Sequence, residues 1–255
     1  MAERMDSLKH LFIVIMMVAL LPFMAMADDD DEFESDDYLS FSQEARPVNN
    51  DPLEGINRAV HEFNDVLDLL ILEPVSEVYS FVLPKVAQNT VFNFLENIEA
   101  PVVFANSILQ GDPQNVFVTF WRFVFNTTLG VGGLFDVATE LGIPERNHED
   151  FGQTLGVWGV GQGPYLVIPF LGPSTLRDFP GRIIDIIINP FTYALKPGES
   201  TALTITNIID TRARLDRFID QVNESSLDPY ATFRSLYLQR RQALVNNFAD
   251  AEEIR

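Results

Sequence analysis

A mainly α-helical single domain is the fold class this sequence predicts, and three observations carry it. Apolar residues recur at steps of three and four through most of the chain beyond residue 50. Asp-Pro, Gly-Asp-Pro and isolated proline residues punctuate those stretches where helices start and stop. Ten of the fourteen glycines fall between Gly130 and Gly172. That concentration confines the non-helical chain to one region and places a short extended or hairpin element near residues 163–173.

At 255 residues and 47% hydrophobic content the chain supports one sizeable core. It contains no cysteine, which excludes disulfides, thiolate metal ligands, a cysteine nucleophile and lipid attachment to cysteine. The formal net charge of −20, from 37 acidic against 17 basic residues, would repel a phosphate backbone, so nucleic acid is excluded as a partner.

Residues 1–27 read as an export signal: Arg4 and Lys9 precede the apolar stretch from Leu11 to Phe23, and Ala25-Met26-Ala27 supplies the small-residue site. The apolar core is about a dozen residues where a spanning helix needs roughly 20, so cleavage is favoured over a retained anchor. Residues 28–49 form an acidic tail and linker, with eight acidic residues among the ten from Asp28 to Asp37. Such a run reads as a solvated spacer. Residues 50–250 are the helical domain.

From Asp51 to Leu72, Leu53, Ile56, Val60, Phe63, Leu67 and Leu70 make a helical stripe, with Asp51 as N-cap and Pro52 in the first turn. Pro74 and Pro84 bound a second, short helix. Pro101 is expected to break the stretch 86–109 into two pieces, and Gly111-Asp112-Pro113 to stop one helix and start the next. The helix from Gln114 to Thr128 is apolar on every side, which means burial all round or contact with lipid. At about 22 Å it falls short of a bilayer core of roughly 30 Å. A helix over 200–222 carries Ile205, Ile208, Leu215, Ile219 and Val222 on one stripe, with Arg212 inside it. Its solvated face is read as Asp210, Arg214, Asp216, Arg217 and Asp220. A last helix begins at Asp228-Pro229.

No catalytic set, metal site or cofactor is expected. His61 lacks the second histidine of a zinc-protease helix and reads as a surface residue, and His148 has no partner ligand nearby in sequence. No serine sits in a Gly-x-Ser-x-Gly elbow. Gly159, Gly161 and Gly163 match no phosphate-binding loop and read as turn formers. Glu149 and Asp150 are weak grounds for acid–base work in so acidic a chain. What remains are polar residues in apolar segments: Arg122 and Asn126, one turn apart, and Arg212. Arg122 either pairs with a fixed aspartate such as Asp136 or Asp150, or lines a polar lane through an apolar body. A lane of that kind suits a phospholipid.

Several of these residues belong to a run of motifs. Asp51-Pro52-Leu53-Glu54-Gly55, Asn57-Arg58, Asn93-Phe94-Leu95-Glu96-Asn97, Leu109-Gln110-Gly111 and Asn126-Thr127-Thr128-Leu129-Gly130 resemble the VacJ/MlaA family. The most specific is Glu149-Asp150-Phe151-Gly152-Gln153-Thr154-Leu155-Gly156, followed by Gly163-Pro164-Tyr165, Leu171-Gly172-Pro173-Ser174-Thr175 and Asp228-Pro229-Tyr230. The similarity runs in order over residues 48–242.

The resemblance implies a ring-like helical protein in the inner leaflet of the outer membrane, on its periplasmic face, around an amphipathic channel. It further implies a non-enzymatic role, in which phospholipid is removed to maintain lipid asymmetry and passed to a periplasmic lipid carrier, and an association with a trimeric porin. On that reading Phe117, Phe120, Trp121 and Phe125 seat in the leaflet, and Arg122, Asn126 and Arg212 line the lipid path. The family's lipidated cysteine is missing here. A structural envelope scaffold and a lipid hydrolase are the rival readings. N-terminal sequencing of the protein from cell envelopes is expected to return Asp28 as the first residue; a start at Met1 would instead mean a retained anchor.

Overall fold

The computed structural model describes residues 51–253. The export signal and the acidic tail lie outside the described residues. The chain runs α1 (Glu54–Leu67), a π-helical turn (Asp68–Leu72), α2 (Glu73–Val82), α3 (Lys85–Gln110), α4 (Pro113–Thr128), α5 (Val137–Glu140) and α6 (Phe151–Val157). A two-stranded hairpin follows, β1 (Tyr165–Ile168) and β2 (Gly172–Thr175), then α7 (Asp178–Ile188), α8 (Phe191–Ala194), α9 (Pro197–Ser225) and α10 (Pro229–Glu253). The mainly α class with one hairpin is what the sequence predicts.

The π turn has a local cause. Pro74 has no N–H to give the carbonyl four residues back, and its ring crowds that carbonyl, so the turn before it widens. The Glu73 N–H accordingly reaches back to Asp68 O. Pro101 behaves differently from expectation: α3 runs unbroken through it for 26 residues. Ala100, Val102 and Val103 beside it are all buried, and packing along the helix outweighs the one lost backbone bond. At the end of α3, Gly111 takes the left-handed conformation (φ 76°), and Asp112 accepts from the Asn115 N–H at 3.0 Å to cap α4.

Asp51 does not cap α1. Its carboxylate instead accepts from Asn57 Nδ2 (2.8 Å), Arg234 (3.0 Å) and the Tyr230 hydroxyl. Burial alone would raise its pKa, but those three donors outweigh it and hold the group below its ordinary value. The start of α1 is therefore tied to α10 across the whole domain.

Antiparallel pairing matches Tyr165 with Thr175 and Ile168 with Gly172. Tyr165 and Val167 point inward, against Tyr230 and Leu238 of α10. The free edge of β1 is covered by two asparagines of α1. Asn57 accepts from the Val167 N–H and donates to Tyr165 O, and Asn64, two turns on, does the same for the Phe170 N–H and Ile168 O. The edge cannot recruit another strand.

Glycines at the crossing of α6 and α7 permit the closest backbone approach in the domain's middle. A Cβ on Gly181 would lie 2.5 Å from the Gly152 nitrogen, and one on Gly152 would lie 2.7 Å from an Asp178 carboxylate oxygen. Arg241 of α10 clamps that crossing, donating to Asp178 at 3.0 Å and to Asp150, the N-cap of α6. Tyr237 and Arg177 also donate to Asp178. Burial pushes Asp150 up, yet Arg241 beside it wins and lowers its pKa to about 2.

Three further expectations are corrected. Asp210 is buried, accepting from Tyr79 at 2.7 Å and from Arg214 at 2.8 Å, because α2 packs over that side of α9. His61 lies between Tyr230 and Phe233, with ring centroids 5.5 and 5.8 Å away, rather than on the surface. Helix α4 is not buried all round, the first of the two readings its apolar surface allowed: Asn115, Val118 and Thr119 are buried while Phe117 and Phe120 are exposed. Helices α7 and α8 carry too little polar periodicity to be foreseen.

Arg241→Met tests the clamp, since it leaves the buried Asp178 short of its strongest partner. Urea denaturation of the detergent-solubilised protein is expected to show a loss of about 3–5 kcal/mol. A loss below about 1 kcal/mol, the scale of an exposed pair, would show that the clamp does not hold the crossing.

Candidate functional site

A cavity of about 700 Å³ opens between α3 and α9 and is closed at its ends by the α7–α8 corner, His148 and Arg240. That volume is within the range of small-molecule sites. Its two long walls follow from helical periodicity. Phe92, Leu95, Glu96, Ile98, Glu99 and Val102 share one face of α3, and Ser200, Leu203, Thr204, Asn207, Thr211 and Arg214 share one face of α9.

The lining is amphipathic. Phe92, Leu95, Ile98, Leu203, Ile186, Phe191 and Leu195 give it apolar surface, while Glu96, Glu99, Asp185, Arg214 and Arg240 give it charge of both signs. Arg214 is fixed there by Asp210, by Gln88 O at 3.0 Å and by the Phe92 ring, 4.3 Å beneath its guanidinium. Protein closes around Glu99 even though the open cavity leaves it accessible. Burial, and then the charge of Glu96, push its carboxyl up to about 7. Asp185 is raised by burial to about 6, although Asn106 and the Phe151 N–H donate to it. Burial lowers His148, so its neutral imidazole is favoured.

The residues singled out from sequence lie elsewhere. Arg122 donates to Asp136 at 2.6 Å and to the carbonyls of Ile143 and Pro144. This is the pairing with Asp136 that the sequence allowed; Asp150, the other candidate, is taken by Arg241. Asn126 donates to Asp136 at 2.9 Å and accepts from the Ala138 N–H, so both side chains fasten α5 to α4. Arg212 is held by Asp68, at 2.8 Å, and Asp216. None of the three lines the cavity. The physical reason is the cost of a buried cation, which is lowered by a carboxylate close by.

Of the four aromatic residues assigned to the leaflet, Phe117 and Phe120 are exposed, at 64% and 44%. Trp121 packs edge-on against both and stacks on Phe125 at 5.5 Å. Other large apolar side chains are exposed too, which periodicity alone did not reveal. They include Ile56, Phe63 and Val66 of α1, Leu69 and Leu70 of the π turn, Val78 and Phe81 of α2, and Phe170 at the hairpin tip. Ile183, Ile186 and Ile187 of α7 and Ile205 and Ile208 of α9 are exposed as well. No helix of the described residues is long and apolar enough to cross a membrane.

The cavity wall was missed because its stripe on α9 mixes serine, threonine, asparagine and arginine, the composition of a solvated face. The signal that was available is the pair Glu96 and Glu99, one turn apart on α3 and next to apolar neighbours.

Comparison with known proteins agrees with this architecture. The family model described as MlaA lipoprotein matches residues 49–244. A protein of Escherichia coli named intermembrane phospholipid transport system lipoprotein MlaA is 40% identical over 200 residues, covering 77% of this chain and 79% of its own. A Rickettsia bellii protein described only as uncharacterized is 36% identical over 240 residues, covering 91% and 92%. A solved chain, from work on the structural basis for maintenance of bacterial outer membrane lipid asymmetry, superposes with a TM-score of 0.68 at 40% identity. The match covers 77% of this chain and 99% of the solved one. With the family model spanning the whole described domain but its last helix end, the chain belongs to the MlaA family.

Proposed function

We propose that this protein transports phospholipid in the maintenance of outer-membrane lipid asymmetry, lying in the inner leaflet on the periplasmic face and passing the lipid through the cavity between α3 and α9. The observation that carries the reading is the inverted placement of polarity. Large apolar side chains such as Phe81, Phe170 and Ile187 are exposed, while charged and hydroxyl side chains share the lining of the cavity between α3 and α9. Large apolar side chains exposed in such number mark contact with lipid or with a partner protein. No described helix is long and apolar enough to cross a membrane. The relatives named for phospholipid transport support the same cargo.

On this reading Phe117, Phe120, Trp121 and Phe125, together with α1, α2 and α7, form the surface that seats in the acyl chains. The polar side of the cavity, with Arg214 and Arg240, solvates the head group, while Phe92, Leu95 and Leu203 accompany the tails. Arg122, Asn126 and Arg212 act one layer out, holding the helices that frame the path. The protein has a carrier role and not a catalytic one, with export to the periplasm, hand-off to a periplasmic lipid carrier and a trimeric porin as its neighbour. Seating rests on apolar surface or on partners, as the chain contains no cysteine to be lipidated.

Filling the cavity tests this. Thr211 lines the cavity and has accessible surface toward it, so Thr211→Trp narrows the path without breaking a clamp. Mass spectrometry of lipid extracted from the purified protein is expected to find phospholipid with the wild type. Vesicle-to-vesicle transfer by the variant is expected to fall about tenfold, the change that a loss of about 1.4 kcal/mol produces, with its melting temperature unchanged. Normal transfer by the variant, or a wild type that holds no lipid, would leave a structural scaffold as the better account. Release of fatty acid would show a hydrolase.

A further inference from the structure

One corner of the cavity holds a set of side chains for which transport supplies no use. Glu96 and Glu99 are one turn apart on α3, and both face the cavity. His148 meets them from the segment before α6. One ligand atom from each of the three lies within 4.8 Å of the other two. His148 Nε2 is 3.5 Å from Glu96 Oε2. That separation is close to the edge of roughly 3.3 Å that a tetrahedral ion with bonds of about 2.0–2.1 Å requires between two of its ligands.

We propose that Glu96, Glu99 and His148 form a binding site for one divalent cation of the zinc class on the cavity wall. The donor set argues for that class: two carboxylates with an imidazole suit a first-row ion, whereas magnesium and calcium take oxygen ligands. Mixed donors also set the group apart from a chance patch of acid. Its surroundings fit a metal centre. Arg146 donates to Glu96 O at 2.7 Å and to its carboxylate at 2.8 Å, fixing the orientation of that ligand as an outer partner does. Three protein ligands leave a fourth position, and all three side chains line the cavity, so water or an anionic oxygen of a bound molecule can complete the shell. Apart from Arg146, the charged groups around the three are Asp185, Asp150, Glu145 and Arg240. A dication would also relieve the repulsion between Glu96 and Glu99.

Calorimetric titration of zinc chloride into the detergent-solubilised mature protein, first stripped with a chelator, decides the matter. One equivalent is expected to bind to the wild type. His148→Asn, at a side chain that is 57% exposed and so replaceable without loss of fold, should weaken binding by about tenfold or more. Glu99→Gln should do the same, with circular dichroism melts confirming that both variants are folded. The proposal falls if the wild type shows no saturable binding, if both folded variants bind as the wild type does, or if magnesium binds as tightly as zinc. Because the titration reads the metal alone, its failure would leave the transport reading standing.

Discussion

Arg241 is the side chain on which the most of this structure depends. It comes from α10, near the end of the described chain, and takes both Asp150 at the start of α6 and Asp178 at the start of α7. Those helices touch through Gly152 and Gly181, where nothing larger than hydrogen fits. With α7 in place, Asp185 can accept from Asn106 of α3 and from the Phe151 N–H, and Thr154 of α6 can bond Asn106 and Gln110. Asp185 and Ile186 then stand on the cavity wall. The position of the cavity's end is thus set by one cation and two carboxylates some sixty to ninety residues away in sequence.

The interior that results is unlike that of a water-soluble helical domain. Among the described residues, eighteen buried positions are polar or charged and eleven are hydrophobic, so helix contacts rest heavily on hydrogen bonds. Buried amides and hydroxyls are stabilising only when their partners are in place. Asn57, Asn106 and Asn115 each make three such side-chain bonds and Gln110 makes two, between elements or within them. Small and polar contacts of this sort serve helices whose outer surface is in hydrocarbon, where apolar burial between helices gives little driving force. The apolar side chains have gone outward instead.

That inversion explains what the sequence disclosed and what it withheld. Local signals were legible: Gly111-Asp112-Pro113 gave a left-handed C-terminus and a capped start, and Gly163 to Pro173 gave the hairpin. The motif from Glu149 to Gly156 proved to hold the α6 cap and the glycine crossing. Faces were legible too, but not their direction along the whole of a helix: on α9 Val222 is buried and Arg217 and Asp220 are exposed as their stripes predict, whereas the N-terminal half is inverted. On α9 the stripe with Ile205 and Ile208 reads as core and the stripe with Asp210 and Arg214 as solvated, if water lies outside. In the structure Ile205 and Ile208 are exposed and Asp210 is buried. Periodicity reports that two faces differ; which one points inward depends on the solvent around the protein, and that is not written in the spacing. Pro101 misled for a related reason, since its local cost is outweighed by packing that only the fold reveals.

The arginines show how function is separated from framework. Arg122, Arg146, Arg177, Arg212 and Arg241 are each bound to a carboxylate with little side-chain exposure, and none of the five lines the cavity. A guanidinium so committed cannot also solvate a passing head group without leaving its aspartate unpaired in a medium of low dielectric. Arg214 is committed in the same way, to Asp210, to Gln88 O and to the face of Phe92, yet it stands on the cavity wall. Position along an apolar stripe therefore marks an arginine as structural. Of the two that line the cavity, Arg214 sits among threonines and asparagine on α9, one turn from the carboxylate that aims it, and Arg240 comes from α10.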